Sequence, residues 1–435
     1  VSQRVSLSTL GCKTNQFESA AMQERLEQAG YTIVPFAQAA DLVIVNTCTV
    51  TAATDAQSRR IIRRARRLNP SCRVVVTGCY AQVDPGALAA LPEVSLILGN
   101  EEKVDFLERL EQAGSAEDGV KIDVSDIETV KSANVPTLVS YAERSRAFIQ
   151  IQNGCDAYCS YCIIPYARGR SRSVPEGQVV DQVKSLLAQG FNEVVLTGIH
   201  IGGYGLDFST PGSLLSLIKR IEAETDLSRL RLGSIEPNEI HPELIAQIAS
   251  SSIICRHLHI PLQSGDSAVL KRMNRHYTAD DFRDLISAIT SAIPDISLGL
   301  DVITGFPGET EEEFKNSHDL IESLPISSLH VFPFSRRSGT PAATMPKQVP
   351  ERISRERAAT LRSLSELRHK RYAQLFVGKT VDVIVEHTRQ NAMQKGMTRH
   401  YLPVSFHGES LQAGSLVQIK IERYGPNGLI GRLLG

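Results

Sequence analysis

Between Val5 and Phe332, ten short runs rich in β-branched residues alternate with stretches of helical period. A chain with that rhythm builds parallel sheets covered by helices. Four runs, at residues 5–10, 42–45, 74–76 and 96–98, are separated by helical patterns such as 17–29 and 56–68. They predict a small parallel α/β sheet. Six more, at 147–151, 193–197, 230–232, 257–260, 296–303 and 329–332, alternate with helices at 179–189, 214–224, 242–250, 279–292 and 310–324. Six βα units fall two short of a closed eightfold barrel, so a partial (βα)6 barrel, open on one side to a large substrate, is expected. After Tyr372 the period drops to two in 380–386 and 416–422, and Gly378, Gly408, Gly414, Gly425 and Gly428 punctuate it. That predicts a small antiparallel β-barrel. At 435 residues the chain is too long for one core. The expected domains are 1–140, 141–371 and 372–435, with 114–140 as a linker.

Eight cysteines are too few for a disulfide scaffold in so long a chain, and their spacing points to metal ligation in a reducing, cytoplasmic compartment. In Cys155-Asp-Ala-Tyr-Cys159-Ser-Tyr-Cys162, three thiols lie on one short loop. Iron–sulfur cubanes normally take four cysteines, so three would leave one iron open to a small molecule. A three-cysteine zinc site or plain buried thiols are the alternatives. Cys12, Cys48 and Cys79 each follow a β-run, which puts them at the carboxyl edge of the first sheet, where open α/β sheets place ligands. Singly, each is more simply a buried packing residue. Three at equivalent edges read as a second three-thiolate site. Cys72 precedes its run and belongs at the opposite edge, and Cys255, beside two isoleucines, belongs in the core.

A formal net charge of −1 hides a basic stretch: Arg59, Arg60, Arg63, Arg64, Arg66 and Arg67 share one predicted helix with no acid among them. Unrelieved basic charge favours a polyanion such as RNA over a merely solvated face. From Tyr372 onward, seven basic residues stand against four acidic ones, and Arg399, Tyr401 and Phe406 suit backbone tracking with base stacking. A basic helix after Pro350 carries an apolar stripe, Ile353, Ala358, Leu361, Leu364 and Leu367, able to dock on the barrel. No apolar run reaches the ~20 residues of a membrane span and no signal segment is present, so no membrane partner is expected.

The cysteine loop, with Tyr161 before its last thiol, resembles the radical S-adenosylmethionine (SAM) superfamily, which implies a 4Fe-4S cluster whose open iron is chelated by SAM. Gly11-Cys12-Lys13-Thr14-Asn15, Asn46-Thr47-Cys48, Gly78-Cys79-Tyr80 and Gly305-Phe306-Pro307-Gly308-Glu309-Thr310 resemble the methylthiotransferases of that superfamily. That resemblance implies an auxiliary 4Fe-4S cluster on Cys12, Cys48 and Cys79. It also implies SAM contacts from Tyr161, Thr197, Gly198, Ser234, Glu236 and Gln263, with Val302 packing on adenine. Glu309 is equally well a helix N-terminal acid. The C-terminal segment resembles the TRAM domain, an RNA-binding module, so Arg59, Arg60, Arg63, Arg64, Arg399 and Tyr401 are the RNA-contact candidates. The Gly-Cys-Lys-Thr-Asn stretch looks closest to the branch acting on N6-threonylcarbamoyladenosine at position 37 of tRNA. The isopentenyladenosine branch, with Gly-Cys-Gln-Met-Asn, a ribosomal-protein aspartate methylthiotransferase and a non-catalytic iron–sulfur RNA sensor stay open. In such an enzyme one SAM yields a radical that attacks the base, and the auxiliary cluster delivers a methylated sulfur. The implied partners are a tRNA anticodon stem-loop, an external electron donor and a sulfur source, acting on a monomer.

Overall fold

The computed structural model describes residues 3–113, 119–135, 145–386, 393–408 and 411–434. Six strands, β1 (Arg4–Thr9), β2 (Thr32–Ile33), β3 (Leu42–Thr47), β4 (Arg73–Gly78), β5 (Leu96–Leu98) and β6 (Lys121–Asp123), form one parallel sheet in the order β2-β1-β3-β4-β5-β6. The helix Ala52–Leu68 starts where the Thr51 hydroxyl accepts the Thr54 N–H. It buries Ile62 and Ala65 against the core of Val43, Val45, Val74 and Val76. Four of its arginines, Arg60, Arg63, Arg64 and Arg67, are therefore exposed.

The segment 114–140 is not simply a linker. Its residues Lys121–Asp123 add the edge strand β6, and Ile127 is buried in the short turn after it. Three residues are too few for periodicity to reveal. The expected boundary near residue 140 lies outside the described residues.

The second domain begins with β7 (Ala147–Gln150). A two-residue antiparallel clasp, β8 (Gln152–Asn153) with β9 (Arg172–Ser173), then closes the neck of the cysteine loop. Strands β10 (Glu193–Thr197), β11 (Arg229–Leu232), β12 (His257–Gln263), β13 (Ser297–Thr304) and β14 (Ser328–Pro333) complete six parallel staves. They form two three-stranded sheets joined by the bridges Leu230↔Ile254 and Ser234↔His259. Alternation along the strands divides their side chains. Leu258, Ile260, Leu298, Leu300 and Val302 share the core of the outer helices with Phe282, Ile286, Leu320 and Ile321. Glu193, Arg229, Arg231, His257, His259 and Asp301 stand on the other face, so the inside of the open barrel is a polar trough.

Strands β15 (Thr380–Val385), β16 (Gln394–Thr398), β17 (Pro403–His407), β18 (Leu416–Gly425) and β19 (Gly428–Leu433) close a small barrel, antiparallel except for the β17–β19 pair. Phe406 is fully buried in its core with Val383, Val404 and Ile419, and so is not a stacking platform for bases. The helix Glu351–Gln374 buries Ala358 and Leu361 against the larger barrel and leads to the small one. Arg229 and Arg231, both fully buried, share Glu193 and donate to the carbonyls of Met397, Thr398 and Arg399, fixing the small barrel beneath the amino edge of the large one. No described helix is long and apolar enough to cross a membrane.

Candidate functional site

The loop that carries Cys155, Cys159 and Cys162 folds tightly. Gly154 has φ +74°, and a Cβ there would sit 1.8 Å from the Arg170 carbonyl oxygen, so only glycine fits. The Cys155 N–H donates to Gly169 O at 3.0 Å, and the Cys162 N–H donates to Cys159 O at 2.9 Å. Arg275 donates to the Cys159 sulfur at 3.3 Å and also pairs with Glu236. Cys155 Sγ lies 3.6 Å from His200 Nδ1, and the other ring nitrogen of His200 pairs with Glu239 at 2.7 Å. Burial and the neighbouring Cys159 and Cys155 sulfurs push the Cys162 thiol up to about 12.

The second set stands where three adjacent strands end: Cys12 after β1, Cys48 after β3 and Cys79 after β4. A Cβ on Gly11 would lie 2.8 Å from Cys48 Sγ, and Gly11 has φ +95°, so the turn into Cys12 also depends on glycine. Burial, with Cys79 and Cys12 nearby, pushes the Cys48 thiol up to about 12. Arg168, six residues beyond Cys162 and fully buried, donates to Cys79 Sγ at 3.3 Å and to Asn15 Oδ1 at 2.5 Å, and pairs with Glu18. Lys103 holds the same Glu18 at 2.6 Å. Cys72 and Cys255 are buried away from both sets, Cys72 in the core at the far sheet edge.

These donor sets fit metal clusters. Thiols crowded together repel one another's ionisation, and metal binding removes the proton outright. Each set supplies three free thiols, one fewer than the four cysteines a cubane normally takes, which leaves one iron open. In each set a buried arginine donates to one sulfur, which offsets thiolate charge.

A cavity of about 250 Å³ is lined by Cys162 of the first set and by residues that follow Cys48 of the second. Val50 and Thr51, just past Cys48, form one wall; Tyr161, Cys162, Gln263, Asp301, Ile303 and Phe332 are among the other residues that line it. Across its mouth the Ala52 N–H donates to Ser335 Oγ at 3.1 Å and Arg337 pairs with Asp55 at 2.7 Å, so the first domain is pinned over the second. Of the residues expected to meet SAM, Tyr161 and Gln263 line the cavity. Thr197 and Gly198 end β10, and Ser234 and Glu236 follow β11. Val302 does not face the cavity: strand parity turns Asp301 and Ile303 inward and sends Val302 to the outer core. The glycines after β10 make room for protein instead. A Cβ on Gly202 would strike Glu239, and the N–H groups of Ile199 and His200 are bound by Gln152. Glu309 accepts the Gly305 N–H and pairs with Arg357 of the last helix at 2.6 Å, a structural tie.

Arg59 donates to the Tyr80 hydroxyl at 2.8 Å and Arg66 to two backbone carbonyls, leaving Arg60, Arg63 and Arg67 outward, with Arg64 over the Phe36 ring. Arg399 is not free to meet RNA: it holds Asp382 at 3.0 Å and the carbonyls of Ser228 and Ser252, docking the two barrels. Tyr401 forms part of the trough floor, its ring 4.7 Å from that of His257. Sequence reasoning missed Arg168, Arg275 and His200, each a lone polar residue whose partner is distant in the chain.

Residues 4–99 match the family described as Uncharacterized protein family UPF0004, and residues 149–321 match the Radical SAM superfamily. The threonylcarbamoyladenosine tRNA methylthiotransferase MtaB of Bacillus subtilis is 40% identical over 97% of this chain and 94% of its own length. The protein of the same name from Aquifex aeolicus is 37% identical, over 96% of this chain and all of its own length. A tRNA-2-methylthio-N(6)-dimethylallyladenosine synthase from Acetivibrio thermocellus is 32% identical over 95% and 88%. Among solved structures, the radical SAM methyltransferase TsrM of Kitasatospora setae superposes with a TM-score of 0.58 at 20% identity, over 79% of this chain and 77% of that one, a likeness of fold.

Proposed function

The chain belongs to the radical SAM methylthiotransferase family, and from that premise we propose that it adds a methylthio group to C2 of N6-threonylcarbamoyladenosine at position 37 of tRNA. One observation carries the reading: a single cavity is walled by the segment after Cys48 on one side and by Cys162 on the other. An aromatic C2–H is too weak an acid for proton abstraction. When bound, the clusters and SAM supply the one-electron cleavage and the sulfur that such a position requires. Cys155, Cys159 and Cys162 would hold one 4Fe-4S cluster, and Cys12, Cys48 and Cys79 a second.

The chain's own residues do the rest. Arg275 and Arg168 neutralise thiolate charge at Cys159 and Cys79. Gln263, in a left-handed conformation at φ +64°, turns into the cavity from a bulge in β12, beside Tyr161. Val50 and Phe332, about half exposed at the cavity wall, offer apolar surface to a base splayed from its stack. Thr197, Gly198, Ser234 and Glu236 frame the strand ends where SAM would lie. Arg60, Arg63 and Arg64 with the small barrel would hold the anticodon stem-loop, and the electron donor and sulfur source come from outside the chain. On this reading the protein would work in the cytoplasm as a monomer, with domains at 1–140, 141–371 and 372–435.

The test is anaerobic reconstitution with iron and sulfide, followed by SAM, reductant and anticodon stem-loops bearing either threonylcarbamoyladenosine or dimethylallyladenosine. Nucleoside mass spectrometry should find the methylthio product on the first. Product on the second alone would overturn the substrate assignment.

A further inference from the structure

The floor of the trough carries more positive charge than the fold needs. Three cations surround the Tyr401 ring: Arg231 at 5.0 Å, Lys13 at 5.8 Å and Arg146 at 5.9 Å from its centroid. The nearby acids are already taken. Glu193 is shared by Arg229 and Arg231, Asp382 by Arg229 and Arg399, and Glu386 is held by Arg146. Lys13 makes no ion pair among the described residues, so the group as a whole has cations in excess. An anion from outside would balance it.

The place can be reached. Tyr401 keeps 36% of its surface exposed, and the His330 side chain keeps 62% although Leu329 and Val331 beside it are buried. Asp301, which lines the cavity, bonds His259 at 2.8 Å and His330 at 3.3 Å, so the trough runs from cavity to floor along one wall. Lys13 directly follows Cys12, so its ammonium lies within about 10 Å of the Cys12 Cα, one 3.8 Å step plus a four-carbon stem. On a purine, N6 is borne by a ring carbon two bonds from C2. A base that presents C2 to the Cys12 set can therefore extend its N6 substituent toward Lys13.

Resting on the function proposed above, we propose that this floor is a carboxylate site, in which Lys13, supported by Arg146 and Arg231 around Tyr401, takes the acid group of the threonylcarbamoyl substituent. A dimethylallyl group, having no charge, would gain nothing there. The site thus accounts for a choice between two tRNA substrates.

The test compares two stem-loops, one with the free threonylcarbamoyl acid and one with its neutral methyl ester. The parent enzyme should prefer the acid by about tenfold or more in kcat/KM, the worth of one charge-assisted hydrogen bond. Lys13→Met should abolish that preference and Lys13→Arg should restore most of it. A Lys13→Met enzyme that keeps the parent ratio, or a parent that uses acid and ester equally, overturns the carboxylate site while leaving the function standing. A parent active only on dimethylallyl RNA overturns the function itself. If Lys13→Met does not assemble, Arg146→Met is read by the same ratio: a diminished preference supports the site and an unchanged one overturns it.

Discussion

Exchanging Glu18 for glutamine should destabilise the protein more than deleting the far larger Arg168. Glu18 is the one anion in a buried group, with Arg168 fully buried and Lys103 and Glu18 each 6% exposed. Glu18→Gln keeps the shape but leaves two buried cations without a counter-charge. Breaking one buried pair costs about 3–5 kcal/mol, so about 5 kcal/mol or more is expected. Arg168→Met leaves the Glu18–Lys103 pair intact at 2.6 Å and loses hydrogen bonds to Asn15 and Cys79, a cost of about 3 kcal/mol. At about 2.1 cal/mol/K per residue, unfolding of the whole chain carries about 0.9 kcal/mol/K, so the midpoints should fall by about 5 °C and 3 °C. Burial alone would raise the Glu18 carboxyl, but the Arg168 and Lys103 charges hold it below its ordinary value. Its contribution is therefore complete above the unfolded pKa of about 4.3 and lost as pH falls through the depressed folded value. Differential scanning calorimetry of the reduced, metal-free protein at pH 7, and at stepwise lower pH, reads both effects. If Arg168→Met proves the more damaging, or if the gap between parent and Glu18→Gln does not narrow on acidification, the charge argument is wrong.

Reconstituted protein should hold about eight irons; Cys12, Cys48 and Cys79 changed together to alanine should remove half while SAM cleavage persists, and a full iron complement in that variant would refute the two-site reading. Arg60, Arg63 and Arg67 changed together to alanine should weaken tRNA binding and lower the slope of log affinity against log salt by about 2, at about 0.7–0.9 per phosphate contact. A filter-binding series with an unaltered slope would show that this helix does not touch RNA.

The sequence made the alternation legible, and the structure follows it closely: the helices Leu214–Glu224, Pro242–Ser250 and Ala279–Ala292 fall at the expected residues. The cysteine edges were legible for the same reason, because in a parallel sheet the residue after a strand has a fixed side. Strand parity was harder. Val302 and Asp301 differ by one residue, and only the seating of the outer helices decides which of them faces in. Arg399 looked like an RNA contact because its partners, Ser228 and Ser252, lie in another domain. Glu18, Lys103 and Arg168 are far apart in sequence, and no local pattern marks them as a unit.

The buried Arg229–Glu193–Arg231 group has a consequence for a long substrate. It ties the small barrel to the large one through backbone carbonyls as well as charge, so the span from the outer surface of the small barrel to the cavity is set by the fold. A polymer gripped at one end of that span presents only the unit that reaches the other. On the function proposed above, the molecule would select its target as a ruler does, by length along the strand, and a change that loosened the joint would blur the choice of nucleotide before it slowed the chemistry.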